Sequence, residues 1–190
     1  MDSTLTLLGS IVIGGLFMLG LMTFYGGVID NSYVKTLELL TQETSASFLE
    51  IIEHDFRRIG SAVQIPANAI LDTSEITFLG DIDENGSADT VRYYTSTTSL
   101  VGSTPNSNDV ILYRVVNGVN TLDAVAGVTE FDVAFLDETG HRTTDLAMVR
   151  TLEVSLMVES IMDYNGKYSR AFWKKRFTPR SLNRITRTDY

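Results

Sequence analysis

The first constraint on this chain is an uncharged run near its start. The 27 residues from Ser3 to Ile29, "STLTLLGSIVIGGLFMLGLMTFYGGVI", carry no charged side chain. As a helix they would rise about 40 Å, which exceeds the roughly 30 Å of a bilayer's hydrocarbon core. The preceding residues are acidic, whereas a secretory signal begins with basic residues, and no small-residue cleavage site follows the run. We therefore predict a transmembrane helix over residues 1–29.

Small residues recur within the apolar run. Ser10 and Gly14 have the four-residue spacing that allows helices to approach closely in lipid. Two interpretations stay open: a helix-packing surface, or glycine that is simply tolerated in a membrane helix. The candidate assembly residues are Ser10, Gly14, Gly15 and Gly20.

After Asp30 the pattern changes to a single apolar stripe. Apolar residues then step by three and four positions, which predicts an amphipathic helix over residues 30–60. No proline or glycine interrupts residues 31–59, and Gly60 is a natural helix stop. One unbroken helix is therefore expected from about Thr4 to Ile59. Its predicted stripe is Val34, Leu37, Leu40, Thr44, Phe48, Ile51/Ile52, Phe56 and Ile59.

The remaining residues, 61–190, show short apolar runs separated by turns. "EITFLG", "DTVRYYT" and "VTEFDVAFLDETG" are typical of strands, and residues 95–109 are typical of a loop. Asn117-Gly118 and Asn165-Gly166 each predict a hairpin turn. The expected fold class is α+β, with the long N-terminal helix packed on an antiparallel β-sheet that forms a globular domain with a basic C-terminal tail.

Composition excludes several kinds of site. The chain has no cysteine, so disulfides and thiolate metal sites are impossible. Neither a nucleophile elbow, a P-loop, a dinucleotide fingerprint nor a zinc ligand set occurs. We therefore expect a protein that is not an enzyme.

One acidic segment has the alternation of a calcium loop. Oxygen-bearing side chains occupy every second position of "DIDENGSAD", and Gly86 stands sixth. The twelfth position, where an EF-hand has a bidentate glutamate, is Arg92. A looser calcium site and a simple acidic turn both remain open, so calcium is a candidate cofactor and no other is expected. The candidate ligands are Asp81, Asp83, Asn85 and Asp89.

The C-terminal tail is basic although the whole chain has a net charge of −9. Three interpretations fit: a contact with an acidic neighbouring subunit, a nucleic-acid surface in which Phe172 and Trp173 stack on bases, or a last strand with a solvated basic face. The candidate contact residues are Arg170, Lys174, Lys175, Arg176, Arg180 and Arg184.

The order of these segments resembles type IV pilins and the pseudopilins of type II secretion. "FLEIIEHDFRRIGSAV", "ITFLGDIDENGSADTVRYY", "LYRVVNG" and "FTPRSL" are similar to segments of J-type minor pseudopilins and PilW-like minor pilins. The resemblance implies a subunit whose helix assembles with other pilin-like subunits after leaving membrane lipid. It also implies a single-pass inner-membrane protein with its globular domain outside the cytoplasm, although Lys35 alone weakly favours the opposite orientation.

The start of the chain departs from that family. A prepilin has glycine before the cleaved bond and glutamate at the fifth mature position. The nearest match begins at Leu5, which places Thr4 at the glycine position and Gly9 at the glutamate position. The departure fits a minor or tip subunit, a different processing signal, or a chain that is not cleaved. A membrane-anchored binding module, DNA uptake included, and a bitopic scaffold unrelated to pili are the alternative functions.

Overall fold

The structure, a computed structural model, describes residues 2–60, 74–96, 104–123, 127–145 and 147–179. The predicted α+β architecture, with a long N-terminal helix packed on antiparallel sheet, is confirmed. Part of the predicted 95–109 loop and of the 61–190 domain lies outside these ranges. The described elements are α1 (Asp2–Arg57), β1 (Glu75–Gly80), β2 (Asp89–Thr95), β3 (Leu112–Val116), β4 (Val119–Asp123), β5 (Val128–Leu136), β6 (Thr151–Glu159) and β7 (Arg170–Phe177).

Helix α1 runs for 56 residues without a break. At 1.5 Å per residue it is about 84 Å long. It ends at Arg57, and a turn over residues 58–60 follows. Gly60 has a φ of 68°, a left-handed conformation that glycine adopts without steric cost. The helix therefore ends two residues before the predicted Ile59, and Gly60 closes the turn that follows it.

The second half of α1 packs one face onto the β-sheets. The predicted stripe is wrong at Leu40, whose side chain is 54% exposed. Thr41 lies on the buried face instead, because successive residues are 100° apart around a helix. The Thr41 hydroxyl donates to the Leu37 carbonyl at 2.8 Å, which satisfies its hydrogen bond within the helix. The buried positions of this face are Thr41, Ser45, Phe48, Ile52, Asp55 and Phe56, and Ile59 is buried in the turn after the helix.

The strands divide into two antiparallel sheets, with the orders β1-β2-β3-β4 and β5-β6-β7. The β3–β4 turn has positive φ angles at Asn117 (51°) and Gly118 (80°), as a type I′ turn requires. Asn165 and Gly166 have the same signs at the tip of the β6–β7 connection. Both predicted hairpins are therefore confirmed, while the division into two sheets was not evident from the strand pattern.

Phe56 marks the centre of the hydrophobic core. Its ring lies 5.4 Å from Phe78 on β1, 5.8 Å from Tyr93 on β2 and 5.5 Å from Phe177 on β7, measured between centroids. One buried cluster therefore joins α1 to both sheets. Full burial of a phenylalanine contributes about 1.5–3 kcal/mol. This contact fixes the second half of α1 on the domain and leaves the first half projecting from it.

Candidate functional site

The projecting half of α1 exposes its apolar side chains on every side. From Leu5 to Ile29, every large apolar side chain is between 47% and 70% exposed. This segment is long and apolar enough to cross a membrane, as the sequence predicted. The side chains of Ser10 and Thr23 donate to the carbonyls of Leu7 and Leu19, each at 2.9 Å. Their hydroxyls therefore need no water, which suits a lipid environment.

No described residue packs closely against the glycines in this half of α1. A Cβ atom built on Gly14, Gly15 or Gly20 meets nothing within 4 Å, and the same holds for Gly9. Glycine inside a helix costs about 1 kcal/mol relative to alanine. The described contacts therefore do not explain why glycine stands at these positions.

The candidate processing residues lie in the first turns of the same helix. Thr4, Leu5 and Gly9 are helical and exposed. Leu5 is 67% exposed, so no part of the described domain covers this segment. Whether the chain is cut here stays a prediction.

A buried charge cluster joins the end of α1 to the four-stranded sheet. Asp55 is fully buried, and its carboxylate accepts hydrogen bonds from the Tyr93 hydroxyl (2.6 Å) and from Arg114 Nε (2.6 Å) and Nη2 (3.0 Å). Burial, and then the nearby Asp55 carboxylate, raises the pKa of Tyr93 well above its usual range. Tyr93 therefore stays protonated and donates to Asp55. This cluster fixes the direction in which α1 leaves the domain.

The two arginines at the end of α1 also have carboxylate partners. Arg57 pairs with Glu53 one turn earlier, at 3.0 Å. Arg58 forms an ion pair with Glu84 and donates to the Asp81 and Ile82 carbonyls at 3.3 and 3.1 Å. No local sequence signal identifies Arg114 as the partner of Asp55, because the two residues are 59 positions apart.

The structure brings three of the four candidate calcium ligands together. Oxygen atoms of Asp81, Asp83 and Asp89 lie within 4.8 Å of one another. Asp81 accepts the backbone N–H groups of Asn85 and Gly86, each at 3.0 Å. The Asn85 side chain, in contrast, donates to Asp83 at 2.8 Å and accepts the Ser87 N–H at 2.8 Å.

Asp89 lies on the buried side of this loop. A hydrogen bond from Asn117, followed by one from the Ile82 N–H, lowers the pKa of Asp89. The loop is thus held by its own N–H donors and by Arg58 at the end of α1. Hard oxygen ligands at this spacing suit Ca²⁺, and calcium binding stays a prediction.

The basic strand β7 is paired internally. Arg170 contacts Glu159 at 2.6 Å, and Lys174 and Arg176 both contact Glu153, at 2.6 and 2.8 Å. The hydrogen bonds from Lys174 and then Arg176 lower the pKa of Glu153. Three of the candidate contact residues therefore have carboxylate partners on the neighbouring strand β6. Arg180 and Arg184 lie outside the described residues.

Lys175 points to the opposite face of β7. Its Nζ lies 2.5 Å from Glu53 on α1, and the hydrogen bond from Lys175, the largest cause, lowers the pKa of Glu53. The described part of the basic segment thus complements acids of its own chain. This internal compensation weakens the argument, made from charge alone, for a free basic surface.

Neither the protein-family models, nor the curated proteins, nor the solved structures that we compared with this chain match it.

Proposed function

We propose that this protein is a non-enzymatic structural subunit of a filament of the type IV pilus or type II secretion pseudopilus kind, in a minor or tip position. The single observation that supports the proposal most is the projecting half of α1. Ser3–Ile29 forms a continuous uncharged helix that the described domain leaves exposed on all sides.

The energetic cost of this exposure supports the proposal. Each large apolar side chain contributes about 1.5–3 kcal/mol when it leaves water. Summed along the segment, the driving force is on the order of tens of kcal/mol. Only lipid, or a bundle of similar helices, offers enough apolar surface. Movement of the helix from lipid into such a bundle is the assembly step that we propose.

The distribution of the glycines supports a bundle in preference to a single pair. At 100° per residue, Gly14, Gly15 and Gly20 lie on three different sides of the helix. Contact between two helices requires small residues on one side only. Small residues on several sides are compatible with close packing against several neighbours. We therefore propose other pilin-like subunits, of this or related chains, as the partners.

The proposed location follows from the same segment. The helix crosses the inner membrane once, and the globular domain lies outside the cytoplasm, where the filament would grow. Continuity of α1 into the domain means that force on the domain acts directly on the membrane segment. The orientation rests on the resemblance to pilins, because the lysine flank alone favours the reverse.

Helix cross-linking tests the assembly role. The chain has no cysteine, so Leu19→Cys introduces a single reporter. We expect oxidation in membranes to link neighbouring helices, and Gly14→Leu with Gly15→Leu to reduce this linkage strongly while the domain remains folded. Met18→Leu, which adds no bulk at a glycine, is the matched control. Equal cross-linking in the glycine variant would contradict the packing role.

Processing is tested by the mass of the mature N-terminus. Cleavage next to Leu5 supports the prepilin route, and an intact Met1 supports a permanent anchor. This measurement separates a filament subunit from a bitopic scaffold, because only the former must release its helix from lipid.

The alternative function, capture of DNA by the basic tail, is tested by salt titration. Phosphate contacts make binding fall steeply with salt. We expect little salt-sensitive binding of single-stranded DNA by the detergent-solubilised chain, because Arg170, Lys174 and Arg176 already have carboxylate partners. Strong binding that salt abolishes would favour the binding module.

A further inference from the structure

The connection between β6 and β7, residues 160–169, reaches along α1 toward the apolar segment. The ring of Tyr164 lies 5.5 Å from that of Tyr33, measured between centroids. A hydrogen bond from the Tyr164 hydroxyl to the Asp30 carboxylate raises the pKa of Tyr164. Asp30 is the first charged residue after the apolar run. The tip of this connection is therefore level with the point where α1 leaves its uncharged segment.

The tip, here residues 161–168, combines apolar and amphipathic side chains. Ile161 and Met162 are 47% and 54% exposed, and Tyr164 and Tyr168 are half-buried beside them. Tyrosine rings with a polar end are enriched where hydrocarbon meets water. Exposed apolar side chains on a loop have no evident role in water. Next to a membrane segment, the same side chains match the boundary between headgroups and acyl chains.

Two lysines that form no ion pair with the described residues lie near this tip. Lys35 and Lys167 have no carboxylate partner among the described residues, whereas Lys174 and Lys175 are paired with glutamates. Lysine stems cover apolar surface while their ammonium groups reach phosphate. The nearby acids Asp30, Glu38 and Asp163 outnumber these two lysines, so the local net charge is not positive. Contact with individual phosphates is therefore expected, without long-range attraction to the membrane.

We propose that residues 160–168 form a second membrane contact, with the tip of the β6–β7 connection lying in the phospholipid headgroup layer. The inference rests on the membrane anchoring proposed above. Tyr164 would hold the tip against α1 at the membrane surface, and Ile161 and Met162 would enter the outer edge of the acyl region. The domain would thus contact the bilayer at two points, and extraction of the helix would have to break both contacts.

Depth measurement with spin labels tests this contact. The full chain is placed in phosphatidylcholine nanodiscs, with single nitroxide labels on Met162→Cys, Met148→Cys or Leu19→Cys. Met148 is the matched control, because it is 58% exposed, against 54% for Met162. It precedes β6 whereas Met162 follows it, so the nine residues of β6, about 30 Å, separate them. Collisions with membrane-soluble oxygen and a water-soluble nickel chelate report the depth of each label.

We expect the ratio of oxygen to nickel accessibility to be several-fold higher at position 162 than at position 148, and highest at position 19. Equal ratios at 162 and 148, with position 19 in lipid, would overturn this inference and leave the anchor intact. A label at position 19 that contacts water would overturn the anchor as well. Repetition with phosphatidylglycerol identifies the headgroup: a further rise at 162 assigns the contact to headgroups with a net negative charge, and an unchanged ratio assigns it to phospholipid headgroups in general.

Discussion

The two halves of α1 share one continuous backbone and differ in what surrounds them. In the first half, up to Ile29, every large apolar side chain is exposed and the glycines have free space around them. In the second half, from Val34 to Arg57, one face is buried in the domain core and contains the charged residue Asp55. Local sequence makes both halves helical, but only the second is stabilised by its own chain. The first half therefore requires an apolar environment outside the described domain, whereas the second half already packs against that domain.

The largest effect is expected at the buried charge cluster. Asp55→Ala removes the buried carboxylate that accepts hydrogen bonds from the Arg114 guanidinium and the Tyr93 hydroxyl. Removal of one partner of a buried ion pair costs about 3–5 kcal/mol. We expect a loss of that size in the free energy of unfolding, measured by urea titration in detergent with the fluorescence of Trp173.

Arg57→Ala is the control for this variant, because it removes an exposed pair with Glu53. Exposed pairs contribute about 0–1 kcal/mol. Insertion of the first half of α1 into membranes, measured by resistance to alkaline extraction, should be unchanged in both variants. If Asp55→Ala were no more destabilising than Arg57→Ala, the cluster would not be what holds α1 to the domain.

A pair of glycine variants compares the two regions directly. A Cβ atom on Gly80 would lie 2.6 Å from the carbonyl oxygen of Arg58, whereas one on Gly14 meets nothing within 4 Å. We expect Gly80→Ala to lower the free energy of unfolding by about 1–3 kcal/mol, as other overpacked sites do. Gly14→Ala should leave domain stability unchanged. Equal unfolding midpoints for the two variants would refute the difference in packing between the regions.

We expect the stability of the domain to depend on pH through Asp109, which is fully buried. Neither of its carboxylate oxygens has a hydrogen-bond partner among the described residues, and burial raises its pKa above the ordinary value of 3.8. The stabilising contribution of the protonated form is complete below pH 3.8 and is lost as pH rises through the folded-state pKa. Asp109→Asn should therefore stabilise the domain at pH 7, by about 1–3 kcal/mol, and much less at pH 4.

Asp137→Asn is the control of opposite sign. Hydrogen bonds from Thr139 and then from the His141 N–H lower the pKa of Asp137, so its contribution is present at neutral pH and lost in acid. We expect this variant to be destabilised at pH 7. Thermal unfolding at the two pH values measures both variants, and a gain from Asp109→Asn that did not depend on pH would contradict the assignment.

The smallest effect is expected at the acidic loop between β1 and β2, which Arg58 contacts just after the end of α1. The calcium hypothesis predicts that calcium at tenfold its dissociation constant stabilises the domain by about 1.4 kcal/mol. Asp83→Asn should abolish this gain, because Asp83 supplies an exposed oxygen to the cluster. Asp132→Asn, on β5, is the control. Identical melting temperatures in calcium and in chelator would favour the simple acidic turn.

The local elements were predictable because their signals are local. Residues 75–80 and 89–95 were expected as strands and form β1 and β2 with those bounds. Asn117-Gly118 predicts its turn since few other dipeptides tolerate two positive φ angles. The buried face of α1 was predicted correctly except at Leu40. That error arose because the buried position is Thr41, a polar residue whose hydroxyl donates a hydrogen bond within the helix.

The partners of charged residues were not predictable in the same way. Arg114 contacts Asp55 across 59 residues of sequence, and Arg176 contacts Glu153 across 23. The basic residues of β7 show no partners when only the sequence is read. Most of their carboxylate partners lie on β6, and the pairing register of the two strands decides which residues meet. The proximity of Asp81, Asp83 and Asp89 could be expected because they are close in sequence, whereas their role as calcium ligands stays a prediction.

The amino-acid sequence by itself determined that the chain contains a long helix and that the first half of this helix is apolar on all sides, because charge and hydrophobic periodicity are properties of neighbouring residues. The tertiary structure alone decided which face of that helix is buried, how the strands divide into two sheets, and that the basic residues of β7 pair with carboxylates of β6 and α1. Those outcomes depend on contacts between distant residues, and the free energy of such contacts exists only after the chain has folded.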